Sequence, residues 1–132
     1  MPEVFVIEPR KIGQTAKKRV CAYARVSTEE ESQINSYEVQ ISYYKDLILK
    51  KPEWVFVEIY SDKGISGTSA QKRPGFQQMI SDCQAGEIDI ILVKSVSRFA
   101  RNIEECLFYI RELKKLHVNV IFEKEAINTK DL

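Results

Sequence analysis

Four short apolar segments recur along the chain, at residues 20–26, 54–60, 88–93 and 118–122. Between them, apolar residues return every three or four positions, which is the spacing of an amphipathic helix. This spacing predicts helices over about residues 36–50, 74–85 and 102–116. Short apolar runs bounded by polar residues are typical of strands, so the predicted order is β-α-β-α-β-α-β.

Regular alternation of strands and helices is typical of an α/β fold with right-handed crossovers. We therefore expect a central, mostly parallel sheet of four to five strands with helices on both faces. The nearly unbroken apolar run of residues 88–93 supports this, because it suits a strand that is covered on both sides. Residues 1–18 contain a possible edge strand at Val4–Ile7 and then a basic linker, so we predict an N-terminal extension over 1–18 and one domain over 19–132.

The composition is that of an ordinary globular domain, with 44% hydrophobic and 30% charged residues among 132. The formal net charge is only +1, which argues against a self-sufficient DNA-binding domain, since phosphate neutralisation dominates the affinity of such domains. Three widely spaced cysteines indicate neither a disulfide framework nor a metal site. With no signal peptide and no membrane-length apolar run, we expect a cytoplasmic protein without a membrane partner.

Ligands of open α/β sheets bind beyond the carboxyl ends of the strands. The first three predicted strands carry a hydroxyl, a carboxylate and several arginines at or after these ends: Arg25, Ser27, Asp62, Arg73, Ser97, Arg98 and Arg101. Arg25 and Ser27 are two apart on a strand, so they are expected on one face. Arg98 and Arg101 are three apart where a helix is predicted to begin, so they are expected to share a side.

A serine among several arginines is what phosphoryl transfer to a protein hydroxyl needs. The hydroxyl supplies the nucleophile, and the planar donors of arginine match the oxygens of the phosphate. Plainer explanations exist for each residue: Ser27 as a helix cap, Asp62 as a turn residue, the arginines and Gln40 as solvated surface. The convergence of these residues on one sheet edge favours the functional interpretation.

Other chemistries find less support in the residues. His117 is the only histidine and is predicted at the opposite edge of the sheet, out of reach of Ser27 for a hydrolase triad. Neither a phosphate-binding GxxxxGK[ST] loop nor GxGxxG occurs, and no His/Asp cluster has metal-ligand spacing. We therefore expect no cofactor and no metal.

The segments that carry these residues also resemble a known family. Tyr23–Thr28 reads YARVST, Asp62–Gly67 reads DKGISG, and Lys94–Arg101 reads KSVSRFAR. In order and spacing they are similar to the motifs of the serine recombinases, the resolvase and invertase family, the third in the form of the large serine integrases. Arg73 and Gln40 match a further arginine and a glutamine of that family. The resemblance covers about residues 18–128.

The resemblance implies a resolvase-like fold of flavodoxin-like layering and a catalytic domain acting on double-stranded DNA. Ser27 would attack a phosphodiester to form a 5′-phosphoserine bond. Arg25, Arg73, Arg98 and Arg101 would hold the scissile phosphate, supported by Gln40, Asp62 and Ser97. The family needs neither metal nor nucleotide, is encoded by bacteria, phages or mobile elements, and acts as a dimer that forms a synaptic tetramer.

The chain departs from the pattern of the small resolvases in two respects: at Ser97, and in a longer segment between Ser27 and Gln40, which again resembles the large integrases. Many small resolvases carry an aspartate where this chain has Ser97, so the general base stays open. The chain also stops where the family has a long helix leading to DNA-binding domains, so we expect a catalytic domain without them. Two alternatives remain: a catalytically silent DNA-binding or regulatory module of the same fold, and a small phosphatase or nucleotide-binding domain.

Overall fold

The computed structural model describes residues 17–27, 34–64 and 73–132. Five strands occur in this part of the chain: β1 (Lys18–Ser27), β2 (Trp54–Gly64), β3 (Ile90–Val93), β4 (Asn119–Phe122) and β5 (Ile127–Asn128). Four α-helices accompany them: α1 (Ile34–Leu49), α2 (Pro74–Gln84), α3 (Val96–Phe99) and α4 (Ile103–Lys115). A 3₁₀ helix follows over Thr129–Asp131. The possible strand at Val4–Ile7 lies outside the described residues.

The strands form one sheet in the order β2-β1-β3-β4-β5. The first four are parallel, and β5 pairs antiparallel with β4. The predicted mostly parallel sheet is therefore confirmed. The chain moves outward from β1 to β2 and then crosses to β3 on the other side of β1. This reversal creates a crevice at the carboxyl ends of β1 and β3, where doubly wound sheets place their ligands.

Both faces of the sheet are covered, as the apolar pattern predicted. Tyr44 and Ile48 of α1 pack on one face against Val20 and Ala22 of β1. The opposite face carries α2 and α4, and its larger core contains Tyr23, Phe76, Met79, Ile91, Phe99, Leu113 and Phe122. The central strands β1 and β3 are buried on both sides, which explains their continuous apolar runs. None of the helices among the described residues is long and apolar enough to span a membrane.

The two edge strands of the sheet differ from the prediction. Strand β2 extends four residues beyond Tyr60, because it stays in register with the whole carboxyl end of β1, as far as the pair Ser27 and Gly64. The polar segment after β4 returns as β5 and is tied down by Thr129, whose Oγ1 accepts a 2.9 Å hydrogen bond from the Val120 amide. A hydrophobic pattern does not reveal a segment that is held by such polar contacts.

The first turn of α2 lies directly against β2. A Cβ atom added to Gly75 would lie 2.2 Å from the carbonyl oxygen of Ser61. We predict that Gly75→Ala lowers the free energy of unfolding by about 1–3 kcal/mol, because the clash outweighs the better helix propensity of alanine. Urea denaturation measures this change. Ser81→Ala, at an exposed position of the same helix, serves as the control, and equal stability of the two variants would contradict the prediction.

Candidate active site at the carboxyl ends of the strands

The ends of β1 and β2 lie side by side. Arg25 pairs in register with Asp62, and Ser27, the last residue of β1, pairs with Gly64. Because side chains alternate along a strand, Arg25 belongs to the same face as Tyr23, which is the face that α2 and α4 cover. Ser27 and Asp62 therefore lie on neighbouring strands at one edge of the sheet.

Asp62 is a buried carboxylate that joins three elements. It accepts hydrogen bonds from the hydroxyl of Tyr23 at 2.7 Å, from the amide of Gly75 at 2.7 Å and from the amide of Phe76 at 2.9 Å. The first amides of a helix have no partner within it, and the side chain of Arg73, at the N-cap position of α2, provides none. The carboxylate of Asp62, on β2, accepts hydrogen bonds from two of these amides. Burial raises the pKa of Tyr23, and the bond to Asp62 raises it further.

Arg73 precedes α2 and is only 7% exposed. Its Nη2 donates to the carbonyl of Phe99 at 2.7 Å, and its guanidinium lies 3.8 Å from the ring centroid of Phe76. Its Nη1 is buried, and no described residue accepts a hydrogen bond from it. Burial lowers the pKa of Arg73, and the positive charge of Arg25 lowers it too, although arginine stays charged at neutral pH. The described residues thus leave one donor of this buried cation unused.

The short helix α3 connects three of the predicted arginines. Arg98, on α3, donates from Nη1 to the backbone carbonyl of Arg25, and the last residue of α3, Phe99, accepts the bond from Arg73. At the other end of α3, the amide of Val96 donates to Glu125 at 3.2 Å. The structure therefore brings Arg25, Arg73 and Arg98 together around α3.

Ser97 and Arg101 are placed differently from these arginines. Ser97 is exposed on α3, with its Oγ 3.0 Å from that of Ser95. The expectation that Arg98 and Arg101 share one side of a helix is wrong, because Ala100 between them is extended, with φ −143° and ψ 157°. Arg101 instead forms an ion pair with Glu105, at 2.7 Å between Nη2 and Oε2.

Gln40 lies on α1, beside the opposite face of the sheet. It lines a cavity of about 300 Å³ together with Tyr44, Lys94 and Glu123. Burial and the charge of Glu123 raise the pKa of Tyr44, whose hydroxyl donates to Glu123 at 3.2 Å, whereas the charge of Arg98 acts in the opposite direction. The charge of Arg98 thus acts on Tyr44, on the α1 side of the edge where Gln40 is also found.

Several residues of the site were not assigned a role from the sequence. Tyr23 lies two positions before Arg25, a spacing that places both on one strand face. Glu105 lies four positions after Arg101, the spacing of an ion pair on a helix. His117 has φ 63° in the turn between α4 and β4, at the amino end of β4, so it lies far from the carboxyl edge. No group of three or more His, Cys, Asp or Glu residues in the described ranges is arranged to hold a metal ion.

Comparison with known proteins assigns this domain to a family. A family model described as the resolvase N-terminal domain matches residues 20–132. The chain belongs to the resolvase family. This confirms the resemblance seen in the three sequence motifs, and with it the resolvase-like fold.

Solved structures and one further protein are similar to this resolvase domain. A resolvase family site-specific recombinase from Streptococcus pneumoniae is 31% identical with a TM-score of 0.73, covering 88% of this chain and 78% of that one. The N-terminal catalytic domain of TP901-1 integrase is 26% identical with a TM-score of 0.60, covering 86% and 82%. The uncharacterized protein y4bA/y4pH of Sinorhizobium fredii (strain NBRC 101917 / NGR234) is 36% identical over 69 residues, which are 52% of this chain but 10% of that protein.

The bond between Tyr23 and Asp62 is open to a direct test in this resolvase domain. We predict that Tyr23→Phe lowers the free energy of unfolding by about 1.5–3 kcal/mol, the usual contribution of a hydrogen bond to a charged group. Tyr109→Phe is the matched control, because Tyr109 packs on the same Phe76 ring, and no described residue hydrogen-bonds to its hydroxyl. Chemical denaturation compares the two variants, and equal losses would show that the bond to Asp62 contributes nothing specific.

Proposed function

We propose that this domain is the catalytic domain of a site-specific serine recombinase, which cuts and rejoins double-stranded DNA through Ser27. One observation carries the proposal: three arginines converge beside the end of β1, and some of their N–H groups donate to no described residue. Among the described residues, Nη1 of Arg73 has no hydrogen-bond partner, and the guanidinium of Arg25 makes no hydrogen bond or ion pair. A phosphate in the crevice would supply the negative charge that these cations lack.

The names of the similar structures agree with this function. One is a resolvase family site-specific recombinase, and another is the catalytic domain of an integrase. Membership of the resolvase family fits the same chemistry. We infer that residues 19–132 form the catalytic domain and residues 1–18 an extension, within a cytoplasmic protein of bacterial or phage origin.

The proposed reaction is a transesterification. The Oγ of Ser27 forms a bond to the scissile phosphorus, and the bond from phosphorus to the 3′ oxygen breaks. The serine loses its proton to a base that we leave unassigned, and the departing 3′ oxygen gains one, so that the products are a 5′-phosphoserine and a 3′ hydroxyl. Arg25, Arg73, Arg98 and Arg101 stabilise the charge on the phosphate oxygens. Because the ester conserves the bond, the reverse attack by a 3′ hydroxyl rejoins the DNA.

The partners follow from the proposed reaction. Strand exchange requires two DNA sites, so we infer that the enzyme acts as a dimer that assembles into a synaptic tetramer. The near-zero net charge of +1 gives this chain little general affinity for DNA. We therefore infer that the arginine cluster binds one phosphate and that sequence-specific recognition of DNA needs contacts outside this cluster.

The nucleophile is tested by Ser27→Ala. We predict that the natural full-length protein forms a covalent adduct with its target DNA and that Ser27→Ala abolishes the adduct, because alanine offers no oxygen to the phosphorus. Denaturing gels of labelled DNA detect the adduct, and mass spectrometry of the digested protein locates it. Ser81→Ala, an exposed serine on α2, is the control. An adduct of undiminished yield in Ser27→Ala would overturn the proposal.

The arginines are tested separately from the nucleophile. We predict that Arg98→Ala lowers the cleavage rate about 100-fold or more, the scale on which loss of one preorganised charge-stabilising donor acts. Arg98→Lys should rescue the rate poorly, since lysine lacks the planar fork. Arg111→Ala, at an exposed position of α4, removes the same charge away from the site. Single-turnover cleavage rates compare the variants, and a near-normal rate for Arg98→Ala would contradict this assignment.

A further inference from the structure

Glu105 holds Arg101 by one edge of its guanidinium. Its Oε2 accepts from Nη2 at 2.7 Å, and its Oε1 accepts from Nε at 3.4 Å and from the backbone amide of Arg101 at 2.8 Å. The carboxylate therefore fixes both the main chain and the side chain of Arg101. The pair is only partly exposed, with 19% of the Glu105 side chain and 36% of the Arg101 side chain accessible.

The opposite edge of the same guanidinium stays open. Arginine has five N–H donors in a plane, and Glu105 engages those of Nε and one of Nη2. Nη1 and the second N–H of Nη2 form a second fork, and no described residue accepts a hydrogen bond from it. A fork of this kind matches two oxygens of a phosphate. An arginine gripped on one edge is thus preorganised to bind an anion on the other.

The position of Glu105 also relates it to the buried arginine of the site. Its negative charge raises the pKa of Arg73, opposing the stronger effect of burial. In turn, the hydrogen bond from Arg101 lowers the pKa of Glu105, and the charge of Arg73 contributes to this lowering. The charge of Glu105 therefore acts on both Arg101, at the start of α4, and Arg73, at the start of α2.

The local backbone explains why Arg101 needs such support. Ala100 and Asn102 are extended, and α4 begins only at Ile103, so no helical turn fixes Arg101. Asn102 caps α4 through a 2.8 Å bond from the Glu105 amide, which places the Glu105 carboxylate beside Arg101. Glu104 lies in the same helical turn and is exposed, and none of the described contacts joins it to Arg101.

We propose that Glu105 is a positioning residue of the recombinase site: it holds Arg101 by the Nε and Nη2 edge so that the Nη1 edge faces the scissile phosphate. This proposal rests on the function proposed above. Glu105 does not touch DNA in this arrangement and acts through Arg101. Its removal should slow the chemical step without weakening the binding of DNA.

A double-mutant cycle in the natural full-length protein tests this role. Glu105→Gln should lower the single-turnover cleavage rate at saturating DNA about 10-fold, because a loosened guanidinium still binds phosphate but in poorer geometry. The affinity for the DNA site should change less than about 2-fold, since uniform binding is not lost. In the Arg101→Ala background, Glu105→Gln should cause no further loss of rate, because the residue through which it acts is gone.

Glu104→Gln is the matched control, since it removes the same charge from the same helical turn. It should leave the cleavage rate within about 2-fold of the wild type, with thermal stability equal to that of Glu105→Gln, because solvent-exposed ion pairs of this kind contribute little to stability. A Glu105→Gln rate equal to that of Glu104→Gln would overturn the positioning role, and so would an additive loss in the Arg101→Ala background. If the wild type forms no Ser27-dependent adduct, the proposed function itself falls, and this role falls with it.

Discussion

The carboxylate of Asp62 is the contact on which the arrangement of the site depends. It is 8% exposed and accepts hydrogen bonds from β1 through Tyr23 and from the first turn of α2 through Gly75 and Phe76. A buried carboxylate is stable only when such donors surround it. Since Arg73 directly precedes α2, the same bonds that satisfy the charge of Asp62 also determine where that arginine lies.

The second constraint is the mutual repulsion of like charges. Burial lowers the pKa of Arg73, and the nearby positive charge of Arg25 lowers it too. Asp62 and Glu105 oppose this from either side, but each is already engaged by other donors. The described residues of this edge therefore carry a local excess of positive charge, while the net charge of the chain is only +1. This local excess, and not the global charge, supports the proposed binding of a single phosphate.

The sequence was sufficient for the layers of the fold and for the edge at which the site lies. The spacing of apolar residues in strands and helices reflects which side chains are buried. It therefore predicted the order of the elements and the two covered faces of the sheet. It was not sufficient for α3, because a four-residue helix is too short to show a period, and so the spacing of Arg98 and Arg101 was misjudged. The pairing of Asp62 with the α2 amides was also hidden, since it joins residues more than ten positions apart across residues 65–72. The Arg101–Glu105 pair, by contrast, has a spacing that sequence reasoning is able to recognise.

The hydrogen bonds that anchor these side chains explain why arginine suits these positions better than lysine. Arg98 uses one donor on the carbonyl of Arg25, and Arg73 uses one on the carbonyl of Phe99. Each guanidinium keeps further donors in the same plane, so an anchor on the backbone fixes the direction of those that remain. A lysine ammonium has no such plane, and its anchoring would leave the other N–H groups free to rotate. Because the fold has already fixed the guanidinium groups, a phosphate entering the crevice would meet donors that need little reorganisation, and this is the condition under which electrostatic stabilisation of a transition state is strongest.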